Sequence, residues 1–211
     1  MPTALVDNEI FIDFDELGIA CDSEGVTLSK GQQDFFKNSK CRDEYGALFL
    51  AYNASNTEFE VFDFSRAGSG GGSIFGKGAY FSAYPDNISD YGSIIREYYL
   101  NLENPFIFKA EDSEEECLEN VNNFIKVLKF NKYPVTEDLH DILIEDILEN
   151  AGGLDTMIEL TCGVDKITDY LTKCGFDGIV NLDVCDFVAY RPNQIKLKQN
   201  LNPTTSDSII K

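Results

Sequence analysis

The chain has 211 residues, a length that fits one compact domain or one domain with a small appendage. Its composition is 43% hydrophobic with 16 Phe and 10 Tyr, which allows a large core and excludes a chain that stays disordered. Seventeen basic against 37 acidic residues leave a formal net charge of -20. That charge repels a phosphate backbone and disfavours nucleic acid as a partner.

Hydropathy and cysteine spacing argue against a membrane-spanning, secreted or zinc-binding protein. No apolar run approaches the roughly 20 residues of a membrane span, and the acidic residues 7–24 are unlike a signal or transit peptide. We therefore predict a cytoplasmic protein without a membrane partner. The six cysteines include no CxxC pair and the only histidine is His140, so we predict reduced thiols and no bound metal.

The first half of the chain begins with an acidic segment at residues 1–27 and continues with short predicted elements. Ser29 is a suitable N-cap for the first helix, and the run ALFLAY lacks a helix cap and is bounded by turn-prone residues, as a buried strand is. In chain order, the elements are a helix at 28–38, strands at 47–52 and 59–62, a glycine-rich loop at 66–73, a strand at 76–82, a loop entering a short helix at 85–91 and an extended segment at 98–102.

Residues 113–174 predict a helical part. The first helix has its apolar residues at the helical period, at Leu118, Val121, Ile125 and Leu128. A second helix begins with Thr136 as N-cap, and a third ends before Gly175. Residues 133–165 hold nine acids and no Lys or Arg. This pattern predicts a solvated acidic face, and an acidic docking surface for a basic partner is the alternative.

The last part of the chain returns to strands, predicted at residues 178–181, 186–190 and 194–197. The polar residues 201–211 predict a flexible tail, so we place one domain at residues 28–200. The glycine-rich loop lacks the spacing of a Walker or dinucleotide-binding loop, and the chain has no GxSxG nucleophile elbow. These absences argue against a P-loop nucleotide site and against a serine hydrolase.

Polar and aromatic residues follow the predicted strands in a distinctive order. Asn53-Ala54-Ser55 ends ALFLAY, Tyr80 lies in GKGAYFS, Tyr91 comes eleven residues later, and Asp186 opens DFVAYRPNQIK. With the runs FFKNSKCRDEYG at 35–46, YLNLENPFIF at 99–108 and CGFDGIV at 174–180, this order resembles the ADP-ribosyltransferase domains of phage and mobile-element proteins, including polyvalent and capsid-associated ones. The resemblance covers residues 28–198 and indicates the His-Tyr-Glu type, the lineage of poly(ADP-ribose) polymerases and diphtheria-like toxins.

The resemblance implies an α+β fold with a split β-sheet core, two mostly antiparallel sheets that enclose an NAD cleft, and an acidic helical insertion. It also implies an enzyme that moves ADP-ribose from NAD⁺ to an acceptor and releases nicotinamide. We expect mono-ADP-ribosylation of a protein acceptor with a basic surface, as for a phage effector acting on host proteins. The alternatives are an inactive module of the same fold that binds a partner, and an NAD glycohydrolase.

The same resemblance implies a role for each site residue. Tyr80 and Tyr91 sandwich the nicotinamide ring, because aromatic faces attract a planar cation. The Ala54 backbone and the Ser55 hydroxyl hold the carboxamide. Asp186, at the position of the family's glutamate, binds the nicotinamide-side ribose and places negative charge beside the developing cation.

Three positions depart from the family pattern, and one of them is Asp186, which is one methylene shorter than the family's glutamate. Asn53 replaces the histidine that binds the adenosine-side ribose, and Ala54 replaces the next glycine; asparagine can still donate and accept hydrogen bonds. We assign catalytic roles to Asp186, Tyr80 and Asn53. The remaining NAD-binding candidates are Ala54, Ser55, Tyr91 and Gly78, with Arg66, Lys77 and the amides of residues 68–72 as donors to the pyrophosphate.

Overall fold

The computed structural model describes residues 19–43, 45–59, 61–64, 74–109, 113–150 and 153–198. Most of the predicted N-terminal acidic segment, the glycine-rich loop at 66–73 and the predicted tail lie outside the described residues. Among those that are described, no helix has the length and apolar character needed to cross a membrane.

Short strands with a few short helices make up the first half and the last part of the chain, and a run of four helices lies between them. The elements are α1 (Lys30–Phe36), β1 (Ala51–Ser55), β2 (Ala79–Ser82), a 3₁₀ helix (Pro85–Tyr91), β3 (Ile94–Leu100), β4 (Phe106–Phe108), α2 (Glu114–Phe130), α3 (Glu137–Asn150), α4 (Leu154–Glu159), α5 (Val164–Lys173), β5 (Gly178–Asn181), β6 (Asp186–Ala189), a second 3₁₀ helix (Pro192–Gln194) and β7 (Ile195–Leu197).

Side-chain caps begin three of these helices. The Ser29 hydroxyl accepts a hydrogen bond from the Gln32 amide in a capping box at the start of α1. The Ser113 hydroxyl caps α2, and three acids in its first turn complement the helix dipole. The Thr136 hydroxyl accepts from the Leu139 amide at 3.2 Å, which confirms Thr136 as the N-cap of α3.

The strands form one sheet of seven in the order β4-β5-β6-β2-β1-β3-β7, antiparallel except between β4 and β5. β1 and β3 are paired over five positions, but β1 and β2 share only the pair Tyr52 with Ser82. The sheet is therefore divided at this junction into the halves β4-β5-β6-β2 and β1-β3-β7. The expected α+β fold with a split sheet is confirmed, and its two sheets are the halves of one hydrogen-bonded sheet.

The two faces of the half-sheet β4-β5-β6-β2 bury different hydrophobic clusters. On β2 and β6, Phe81 and Phe187 lie in the core of one face. Val188 lies in the core of the other face, which α2 to α5 cover, and Tyr80 packs against that same core. Because side chains alternate along a strand, Ser82 and Asp186 share the helix-covered face of the sheet with Tyr80.

Several element predictions were wrong or incomplete. Residues 59, 61 and 62 lie outside any strand; Phe62 instead packs its ring on Phe81 and Tyr98, with ring centroids 5.4 Å apart in each case. Phe62 is therefore apolar because it packs on the sheet, whereas Val61 is 70% exposed and lacks the burial that a strand would give it. β1 begins at Ala51 rather than at residue 47, and the sequence analysis missed β4 and α4.

Candidate active site at the split of the sheet

Tyr80 lies in β2, and its hydroxyl is bound to the loop that precedes the strand. The hydroxyl donates to the Gly76 carbonyl at 2.5 Å and accepts from the Phe75 amide at 3.0 Å. Burial raises the pKa of Tyr80, so the phenol stays neutral. Because both hydrogen bonds hold the hydroxyl in the loop, the ring face is the part of Tyr80 suited to contact a ligand.

Asp186 begins β6 and pairs with Ser82 across the β2–β6 ladder. Burial raises the pKa of Asp186, and a hydrogen bond from the Ser82 side chain lowers it, so the ionised form is opposed by desolvation and favoured by one neighbour. The Oδ1 atom of Asp186 is buried and has no hydrogen-bond partner in the described part of the chain. A buried carboxylate oxygen without a partner is costly to the fold and suits a group that binds a ligand hydroxyl.

Asn53 lies in β1 beside the junction between the halves. Its Nδ2 atom donates to the main-chain carbonyl of Tyr80 at 2.8 Å, next to the single backbone pair that joins β1 and β2. The side-chain amide therefore bridges the two strands where their backbone pairing ends. This bond leaves the Asn53 carbonyl oxygen as its group for accepting a hydrogen bond from a ligand.

Tyr91 ends the 3₁₀ helix, which contacts both β1 and β2. The next residue, Gly92, lies directly on the end of β1, because a Cβ atom there would be 2.5 Å from the Ser55 carbonyl oxygen. This close approach holds Tyr91 near Ser55, and 60% of the Tyr91 side chain is exposed. The Ser55 hydroxyl itself donates to the Thr57 carbonyl at 2.7 Å.

Gly78 is buried against β6, where a Cβ atom would lie 2.9 Å from the Ala189 carbonyl oxygen. The close packing of two strands therefore explains glycine at this position. Arg66 and residues 68–72 lie outside the described residues. The structure thus brings Asn53, Tyr80 and Asp186 onto neighbouring strands at one junction, with Tyr91 at the adjoining end of β1.

Sequence reasoning missed two polar residues beside the site. Ser82 is the last residue of GKGAYFS, and its alternation with Tyr80 is a local signal that could have identified it. Thr168 on α5 contacts the loop before β2 from 91 positions away, and no local pattern indicates it.

The helical part has a cleft of its own. It has a volume of about 400 Å³ between α2 and α3, and it includes none of the predicted site residues. In the described ranges, no group of three or more His, Cys, Asp or Glu side chains could hold a metal ion. All six cysteines are free thiols.

An α+β fold whose sheet divides beside a loop-bound tyrosine and a buried carboxylate has the architecture of an ADP-ribosyltransferase domain. The sequence model of the family described as "ADP-Ribosyltransferase in polyvalent proteins" matches residues 43–205, and the chain belongs to that family. No curated protein matches the sequence significantly. A solved structure described as "Crystal structure of an anti-CRISPR protein" is similar over 70% of this chain and 93% of its own chain, at 11% identity and a TM-score of 0.35.

Proposed function

We propose that the protein transfers ADP-ribose from NAD⁺ to a protein acceptor. In this reaction the bond between nicotinamide and its ribose breaks, nicotinamide leaves, and an acceptor nucleophile forms a bond to the same ribose carbon. The observation that carries the proposal is the buried Oδ1 of Asp186, which has no partner in the described ranges and lies on the same sheet face as Tyr80.

NAD⁺ fits the chemistry of these residues. The Asp186 carboxylate can accept a hydrogen bond from a ribose hydroxyl and place negative charge beside the cationic sugar that forms as nicotinamide leaves. The ring of Tyr80 offers one aromatic face, and the exposed ring of Tyr91 offers a second from the adjoining 3₁₀ helix. The Ala54 backbone and Ser55, at the end of β1, would hold the carboxamide.

Asn53 already uses part of its hydrogen-bonding capacity within the protein. One N–H of its amide binds the Tyr80 carbonyl, which leaves the second N–H and the carbonyl oxygen to bind a ribose hydroxyl. We assign Asn53 to ribose binding through these groups. The same bond favours the inactive binding module as the second candidate function, since it gives Asn53 a structural reason to be present.

The proposed acceptor is a protein with a basic surface. The formal net charge of -20 attracts such a partner over long range and repels nucleic acid. Nicotinamide release reports cleavage of NAD⁺ and does not identify the acceptor, so the two proposals need separate measurements. Gly78 and Arg66 stay in the proposed NAD-binding set, and the structural requirement for glycine at position 78 is its close packing against β6.

The test is incubation of the protein with NAD⁺ labelled on adenine, with and without a cell lysate. Nicotinamide release is measured by chromatography, and labelled products are identified by mass spectrometry. The variants are Asp186→Asn, which keeps the size of the side chain, and Tyr91→Ala. Tyr45→Ala is the control for Tyr91→Ala, because Tyr45 is equally exposed at 62% and precedes β1.

We expect wild type and Tyr45→Ala to release nicotinamide and label protein. Asp186→Asn should lose about 10²-fold or more in rate, and Tyr91→Ala about tenfold. Release without labelled protein would instead establish the glycohydrolase. A wild type that binds NAD⁺ or a partner but releases no nicotinamide would establish the inactive module. Label on oligonucleotides would overturn the protein acceptor.

A further inference from the structure

Helix α5 contacts the loop that holds the Tyr80 hydroxyl. The Thr168 hydroxyl accepts a hydrogen bond from the Lys77 amide at 2.7 Å and donates to the Lys77 carbonyl at 3.2 Å. One side chain therefore satisfies both main-chain groups of one loop residue. Neither bond belongs to the sheet or to a helix, so the loop depends on this side chain for its position.

Packing at the neighbouring residue explains how closely the helix approaches. Gly76 has a φ of +91°, which favours glycine, and a Cβ atom there would lie 2.5 Å from the Thr168 hydroxyl and 2.6 Å from a methyl group of Ile167. Ile167 is fully buried in the core beneath the helices. Helix α5 therefore packs directly against the loop, with Thr168 at the contact.

The same loop also binds Tyr80, which packs against the core that the helices cover. The Phe75 amide and the Gly76 carbonyl bind the tyrosine hydroxyl, and Thr168 binds Lys77, so the two side chains together hold three consecutive loop residues. The hydroxyl of Tyr190 is buried beside Thr168 as well. Any shift of the loop away from α5 therefore moves the groups that orient the Tyr80 ring.

We propose that Thr168 is a positioning residue for the active site, which sets the orientation of Tyr80 through the loop at residues 75–77. The expected effect of Thr168 on NAD⁺ turnover rests on the proposed function. Its effect on the positions of the loop and of Tyr80 does not. It gives the helical part of the domain a role in the site: α5 contributes the side chain that connects the helices to the nicotinamide-binding ring.

The test compares Thr168→Val, which keeps the shape of the side chain and removes both hydrogen bonds, with Thr168→Ser, which keeps the hydroxyl. Thr172→Val, an exposed threonine one turn along α5, is the matched control. Residue-resolved amide hydrogen exchange is measured at Lys77 and at Phe75. The Lys77 amide reports the bond to Thr168, and the Phe75 amide reports the bond to Tyr80.

We expect Thr168→Val to accelerate exchange at both amides by about two- to tenfold, with Thr168→Ser and Thr172→Val close to wild type. Faster exchange at Lys77 alone would reduce Thr168 to a local structural role and overturn the proposal, as would unchanged exchange at both amides. In turnover of NAD⁺, Thr168→Val should lower kcat/KM for nicotinamide release and Thr168→Ser should restore it; a Thr168→Val enzyme with wild-type kcat/KM would also overturn the proposal. If the wild type releases no nicotinamide, the proposed function fails. The exchange rates of the Lys77 and Phe75 amides still test whether Thr168 positions Tyr80.

Discussion

The Asp186 carboxylate is placed where folding favours its neutral form and the proposed reaction needs its charge. Burial raises the pKa of Asp186 above that of an unfolded Asp, near 4. The stability that this residue contributes is therefore present below the unfolded pKa and is lost as pH rises through the folded pKa. At neutral pH the ionised side chain costs stability, and the Ser82 hydrogen bond offsets part of that cost.

We therefore predict opposite effects of Asp186→Asn on stability and on activity. The variant should have a higher melting temperature than wild type at pH 7, and the two should converge near pH 3, where Asp186 is neutral in both states. Nicotinamide release should fall by about 10²-fold or more. Calorimetry across pH with parallel turnover assays measures both quantities. Equal melting temperatures at pH 7 would show that burial does not oppose the charge of Asp186.

A second prediction at the residue scale concerns Asn53, whose amide joins the halves of the sheet. Asn53→Asp replaces a donor with an acceptor facing the Tyr80 carbonyl, so two oxygens would meet at 2.8 Å in the present geometry. We expect a loss of about 1–3 kcal/mol in the free energy of unfolding, larger than for Asn53→Ala, which only removes the donor. Urea unfolding of wild type, Asn53→Ala and Asn53→Asp measures whether the free energy of unfolding falls in that order. An Asp variant as stable as wild type would contradict the bridging role.

At the scale of elements, the 3₁₀ helix is held on β1 by the contact between Gly92 and Ser55. The φ of Gly92 is 172°, which any residue adopts, so the requirement for glycine is steric. A Cβ atom at Gly92 would collide with main-chain atoms, which cannot move aside as a side chain can. The position of Tyr91 thus depends on the absence of a side chain at the next residue.

Gly92→Ala should therefore destabilise the protein by about 1–3 kcal/mol and raise the KM for NAD⁺ by displacing Tyr91. Gly31→Ala is the control, since its Cβ would meet no atom within 4 Å in α1, and alanine there should stabilise by up to about 1 kcal/mol. Thermal unfolding and NAD⁺ titration test both variants. A Gly92→Ala variant with wild-type stability and wild-type KM would mean that the 3₁₀ helix can shift away from β1 without loss of stability.

At the scale of the whole molecule, the formal net charge of -20 opposes compaction through self-repulsion. The ion pairs found among the described residues are partly or largely exposed, such as Lys30 with Asp34 and Lys109 with Glu119, and each contributes little. Screening by salt should therefore weaken more repulsion than attraction. The net effect of salt on the folded state is stabilising.

We predict that the melting temperature at pH 7 rises between about 0.01 M and 1 M salt, as the Debye length falls from roughly 30 Å to 3 Å. For a domain of this size, each 1 kcal/mol corresponds to about 2–4 °C. Calorimetry in NaCl and in KCl measures the effect, and equal rises in the two salts identify screening rather than binding of one ion. A melting temperature that falls with salt would show that attractive pairs dominate.

Local patterns predicted most of the helices and strands and the helix starts at Ser29 and Thr136, because caps, apolar runs and strand alternation are properties of short segments. Tyr80 and Asp186 were assigned through the family resemblance and stay candidate site residues. The strand predicted at residues 59–62 failed because an apolar side chain can pack on a sheet from a loop, as Phe62 does, and its sequence alone does not distinguish this from strand pairing. The folded structure was needed to show that β2 lies between β6 and β1, that Asn53 bridges the split, and that Thr168 binds Lys77 from 91 positions away. These contacts join distant segments, and strand order and register arise from packing of the whole sheet rather than from any single stretch of chain.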